Sequence, residues 1–93
     1  MMPISDLTKI ARVSSALSVS LDGEHLLMDV DQGLYFSLKG TARHIWNLLD
    51  QPHSYGELCD RLRAHYRAPP GRIEADVTDF VTNLAERKLL TLS

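Results

Sequence analysis

Between residues 13 and 21 the apolar side chains recur at every second position. Val13, Leu17, Val19 and Leu21 share one face with Ser15, while Ser14, Ala16, Ser18 and Ser20 take the other. A period of two describes a strand with one face toward a core and one toward solvent. Asp22-Gly23 follows, a dipeptide suited to the positive φ angles of a tight hairpin turn. A second run alternates through Leu26, Met28 and Val30, with Asp29 and Asp31 opposite, and Gln32-Gly33 offers another turn. The third run sets Leu34, Phe36 and Leu38 on one face and Tyr35 and Ser37 on the other. The pattern predicts an antiparallel three-stranded meander.

After Gly40 the period changes. Ala42, Ile45, Trp46 and Leu49 stand at i, i+3, i+4 and i+7, the stripe of an amphipathic helix that Asp50-Gln51-Pro52 ends. Trp46, at the centre of that stripe, reads as a core anchor. Ser54-Tyr55-Gly56-Glu57 has the form of a capping box opening a second helix with Leu58, Leu62 and Tyr66 toward the core. Pro69-Pro70-Gly71 breaks the chain. A third helix is predicted over residues 72–88 with the stripe Ile73, Val77, Phe80, Val81 and Leu84. Its early acids, Glu74, Asp76 and Asp79, and its late bases, Arg87 and Lys88, match the helix dipole. A short extended segment is expected over Leu89 to Leu92. The expected fold class is therefore α+β, a three-stranded antiparallel sheet followed by three helices in a winged helix-turn-helix-like order.

The chain has 93 residues, which is the size of a single domain, with 44% hydrophobic and 24% charged residues. Residues 1–93 are read as that domain, with a core over about residues 13–92. The formal net charge of -2 has the wrong sign for a domain that neutralises phosphates. A helix-turn-helix reading would also open its recognition helix with three acids, which repel a DNA backbone. One cysteine, Cys59, cannot close an intramolecular disulfide, and no signal peptide or long apolar run is visible. A cytoplasmic protein without membrane or nucleic-acid partners is expected.

Site chemistry is sparse. His25, His44, His53 and His65 are scattered over different elements, and none shares a metal-ligand spacing with Cys59 or with another histidine. Cys59 lies beside an apolar stripe with no evident base to activate it. No glycine-rich phosphate loop occurs. Neither catalysis, nor a metal, nor a cofactor is expected.

An exposed sheet edge can accept a peptide as a further strand. Residues 33–39 suit that role, being apolar on one face and aromatic on the other. On a helical projection Asp76, Asn83 and Arg87 flank the Val77-Phe80-Leu84 stripe, so a groove between this flank and the third strand would have an apolar floor and a polar wall. Spacing alone leaves that reading level with a merely solvated helix edge.

Several segments, in order, resemble the PqqD-like family: Leu26-Leu27-Met28-Asp29, Gly33-Leu34-Tyr35-Phe36-Ser37-Leu38, Ala42 with Ile45-Trp46-Asn47-Leu48-Leu49-Asp50, Glu57-Leu58 with Leu62 and Tyr66, then Asp76-Val77, Phe80-Val81, Leu84 and Leu89-Leu90. The resemblance implies three strands followed by three helices. It also implies binding of the leader segment of a ribosomally made precursor peptide along the third strand and against the third helix, with presentation to a modifying enzyme or leader peptidase. Carried over by position, the peptide-binding residues are Leu34, Tyr35, Phe36, Ser37 and Leu38 with Asp76, Phe80, Asn83, Leu84 and Arg87. Val30-Asp31-Gln32-Gly33 stands where the pyrroloquinoline quinone members have a Pro-Glu-Gly-like stretch, so the chain is more similar to the stand-alone proteins of lasso-peptide clusters. Competing classes are a pyrroloquinoline quinone pathway member, a winged-helix DNA-binding protein and a structural subunit of a larger enzyme.

Overall fold

A computed structural model describes residues 4–14 and 16–93. Ser15, which periodicity places on the apolar face of the first predicted strand, lies outside them. The elements run β1 (Lys9–Arg12), β2 (Ala16–Leu21), β3 (Glu24–Asp29), β4 (Leu34–Leu38), α1 (Thr41–Leu48), β5 (His53–Ser54), α2 (Tyr55–His65), α3 (Arg72–Glu86) and β6 (Leu90–Leu92). The chain is α+β with antiparallel sheets and three helices.

The predicted meander is the sheet β2-β3-β4. Asp22 and Gly23 take φ angles of 51° and 81°, the left-handed values that a two-residue hairpin needs. The turn between β3 and β4 spans four residues, so that Asp29 pairs with Leu34. It is pinned by the Asp29 carbonyl, which accepts from Gly33 N at 2.8 Å, and by the Asp29 carboxylate, which accepts from Gln32 N at 3.2 Å.

Two strands face the opposite way from expectation. Leu27 is fully buried and Asp29 nearly so, whereas Leu17, Val19, Leu21 and Val30 are exposed. Cross-strand register accounts for this. Leu27 lies opposite both Phe36 and Ser18, so these three share the core-facing side, while Leu17 and Met28 lie on the side of Tyr35. Directly paired residues point to the same face of a sheet. The most apolar face of β2 therefore looks outward.

A second sheet, β5-β1-β6, joins three distant parts of the chain. Ile10 in β1 pairs with His53 and Leu92 and is fully buried. Of this sheet the sequence pattern indicates only the last segment. Strands of two to four residues are too short to show a period.

The helices close over these sheets. Ile45 and Trp46 of α1, Leu58, Cys59 and Leu62 of α2, and Ile73, Val77, Val81 and Leu84 of α3 form one core with Ile10, Leu27, Leu38, Leu49, Leu89 and Leu90. Trp46 anchors it as expected, and the Arg12 guanidinium lies 4.3 Å from its ring centroid and donates to the Trp46 carbonyl. The capping box is present: Ser54 Oγ accepts from Glu57 N at 3.2 Å, and Glu57 Oε1 accepts from Ser54 N at 3.1 Å.

Helix α3 stops at Glu86, two residues before the predicted end. Lys88 adopts a left-handed φ of 61°, its N–H donates to the Ala85 carbonyl at 3.0 Å, and Leu89 N donates to the Leu84 carbonyl at 2.8 Å. This paired reverse bonding is a Schellman cap, made here on a lysine instead of a glycine. It turns the chain into β6.

Candidate binding groove

Among the described residues strand β4 hydrogen-bonds β3 on one side only, so its other edge is open there. The ten sequence-derived positions fall into three groups. Leu34, Tyr35, Ser37, Asn83 and Arg87 are exposed; Phe36, Asp76 and Phe80 are half-buried; Leu38 and Leu84 are core residues, each 5% exposed. A strand bound at this edge meets Leu38 through its backbone, because the side chain is already committed to packing.

The strand and the helix are joined by a direct contact. The Arg87 guanidinium sits 4.7 Å from the Phe36 ring centroid, within cation–π range. Arg87 makes no ion pair among the described residues, so its N–H edges are available to a carboxylate or a peptide carbonyl. Toward the other end, Lys39, Thr41, Ala42, Ile45, Asp76, Asp79 and Phe80 enclose an open depression of about 280 Å³. Asp76 is held by Arg72, with Arg72 Nε at 3.3 Å from Oδ1, while Asp79 is exposed beside it.

The depression thus has an apolar floor of Ala42, Ile45 and Phe80 with the carboxylates of Asp76 and Asp79 on its α3 side, and the Arg87 guanidinium lies at the C-cap of the same helix, over Phe36. Lys39, Thr41 and Asp79 belong to this depression but were absent from the sequence-derived set. The available signal was that Asp79 follows Asp76 by one helical turn.

Other side-chain clusters lie away from this depression. A depression of about 560 Å³ lies at the α2–α3 turn, but its wall residue Arg63 is taken up by ion pairs with Asp60 and Glu74. His44 and His65, on different helices, come together with ring centroids 4.6 Å apart, and His44 Nδ1 lies 3.2 Å from the Tyr66 hydroxyl. Burial, reinforced by His65, lowers the pKa of His44. Burial pushes the Cys59 thiol up, which leaves it a poor nucleophile at neutral pH. Among the described residues, no group of three or more His, Cys, Asp and Glu is placed to hold a metal ion, and no helix is long and apolar enough to cross a membrane.

Known proteins agree with this architecture. A solved structure described as TbiB1 in complex with the TbiA(beta) leader peptide superposes with a TM-score of 0.76 at 30% identity, covering 86% of this chain and 93% of that one. Lasso peptide synthetase B1 complexed with the leader peptide gives a TM-score of 0.73 at 26% identity, covering 88% and 96%. A PqqA binding protein of Gluconobacter oxydans (strain 621H) is 36% identical over 55 residues, which is 59% of this chain. The match spans 57% of that relative's own length. Residues 24–90, running from β3 into β6, match the family described as coenzyme PQQ synthesis protein D (PqqD). On that match, together with the shared fold, the chain belongs to the PqqD family.

Proposed function

We propose that this protein binds the leader segment of a ribosomally made precursor peptide as an additional strand on β4 and presents the precursor to a modifying enzyme or leader peptidase. The observation that carries this reading is the open edge of β4, with Arg87 from the end of α3 over Phe36. Main-chain pairing along Leu34–Leu38 supplies affinity, and side chains reaching the Phe80 depression and Arg87 supply selectivity. Backbone pairing is offset by the cost of ordering the peptide, so a few anchors carry the net affinity. Supporting it, two structural neighbours are described in complex with leader peptides, and the Gluconobacter relative is described as a PqqA binding protein.

In this reading the chain is a non-catalytic partner, and chemistry resides in the enzyme it serves. A lasso-peptide or related pathway fits best, because the two B1 neighbours match over nearly their whole length. The second reading, a role in pyrroloquinoline quinone synthesis, draws on the Gluconobacter relative, whose match is confined to 55 residues.

Titration of the purified protein with the leader peptide encoded beside its own gene tests the proposal. Saturable binding with a dissociation constant of micromolar order or tighter is expected, about 8 kcal/mol at 1 μM. Absence of binding at high micromolar concentration overturns it.

A further inference from the structure

Residues 17–21 read Leu-Ser-Val-Ser-Leu, a palindrome centred on Val19. They lie in β2, the edge of the meander farthest from the groove, which among the described residues pairs with β3 alone. Every residue of β2 except Ala16 is exposed, with Leu17 at 50%, Val19 at 42% and Leu21 at 57%. Edge strands ordinarily carry a lysine, a proline or a bulge that discourages pairing. β2 carries no charge and no proline, and its six pairings with β3 run without interruption.

We infer that β2 is a self-association edge, paired antiparallel with β2 of a second copy of this chain about a two-fold axis through Val19. An isologous contact requires that residue i meet j while j meets i. The palindrome meets that condition with chemically matched pairs: Leu17 opposite Leu21 of the second copy, Ser18 opposite its Ser20, and Val19 opposite its Val19.

The hydrogen-bond parity agrees independently. Leu21 and Glu24 close a two-residue hairpin, so the backbone groups of residues 17, 19 and 21 turn toward β3. Those of Ser18 and Ser20 then turn toward the open edge. A register centred on Val19 sets Ser18 against Ser20 of the second copy, so outward-turned groups meet each other. Shifting the pairing by one residue in either direction sets an outward-turned residue against an inward-turned one.

Pairing also explains the outward apolar face. Two copies of Leu17, Val19 and Leu21 form three cross-strand apolar pairs on one side of a continuous six-stranded sheet. The contact of one strand edge per copy is smaller than the roughly 1,200–2,000 Å² of stable complexes, so the dimer is reversible and appears at high concentration. Both β4 edges stay free at the far ends of that sheet, which makes the inference independent of the peptide-binding reading.

Sedimentation velocity from about 1 μM to about 1 mM tests it, a range that spans weak association. A monomer–dimer equilibrium is expected for the wild-type chain. Val19→Lys sets like charges face to face on the axis and raises the dissociation constant more than about tenfold, with the circular dichroism spectrum unchanged. Val19→Glu does the same. An equimolar mixture of the two variants restores the dimer, because Lys then faces Glu across the axis. The inference is overturned by a wild-type chain that stays monomeric throughout, by a Val19→Lys variant that dimerises like wild type, or by a mixture of folded variants that stays monomeric.

Discussion

The guanidinium of Arg87, at the C-cap of α3, lies 4.7 Å from the ring centroid of Phe36 in the edge strand β4. Phe36 packs its other surroundings against the core cluster, so this contact holds strand and helix together at one end of the groove. In the proposed complex it also keeps a cation beside the bound peptide.

Arg87→Ala is therefore expected to leave the fold intact and to weaken leader binding by about 1 kcal/mol, roughly fivefold. Calorimetric titration of both proteins with the same leader checks this. Equal affinities would remove Arg87 from the groove.

Phe80 is half-buried, and its ring forms part of the floor beside Asp76 and Asp79. A fully buried phenylalanine costs roughly 3–5 kcal/mol when truncated, so Phe80→Ala is expected to cost about 2 kcal/mol and remain folded. Trp46→Ala, at a position with no exposure, is expected to fall at or above the upper part of that range and to unfold much of the population. Urea titrations of the two variants should separate clearly. Leader binding should fail in Phe80→Ala at concentrations where the variant is still folded.

His44 supplies a pH dependence. Its folded-state pKa lies below the 6.5 of a free imidazole, chiefly through burial and then through the neighbouring His65. The unfolded chain thus binds a proton at His44 more readily than the folded one, and stability rises with pH across that window. The stabilisation is present above about pH 6.5 and is lost as the pH falls through the depressed folded value. Denaturation midpoints measured between about pH 7 and about pH 5 should drop for the wild-type chain and drop less for His44→Gln.

Ser54 serves both as a residue of β5 and as the cap of α2, through reciprocal bonds of 3.2 and 3.1 Å with Glu57. Ser54→Ala removes the side-chain acceptor and is expected to cost about 1 kcal/mol. The loss should appear in thermal unfolding without a change in leader affinity, since the groove lies on other elements.

The sequence by itself determined the local elements. Alternation marked β2, β3 and β4, the i, i+3, i+4, i+7 stripes marked the helices, and Ser54-Tyr55-Gly56-Glu57 marked the cap, because each signal is carried by residues within a few positions of one another. The second sheet was not legible in this way, since β1 finds its partners at His53–Ser54 and Leu90–Leu92 and has no period of its own.

Only the tertiary structure decided which side of the meander is inside. The turn between β3 and β4 holds an even number of residues, so the even-numbered Leu26 and Met28 align with the odd-numbered Tyr35 and Ser37, not with Phe36. The apolar faces of β2 and β3 therefore conflict with that of β4, and no choice buries all three. Packing of α1 and α3 on the Leu27 and Leu38 side settles the conflict in favour of β4. Leu17, Val19 and Leu21 are left facing outward, while Phe36 is brought to Arg87 across 51 positions of sequence, a contact that no local pattern could specify.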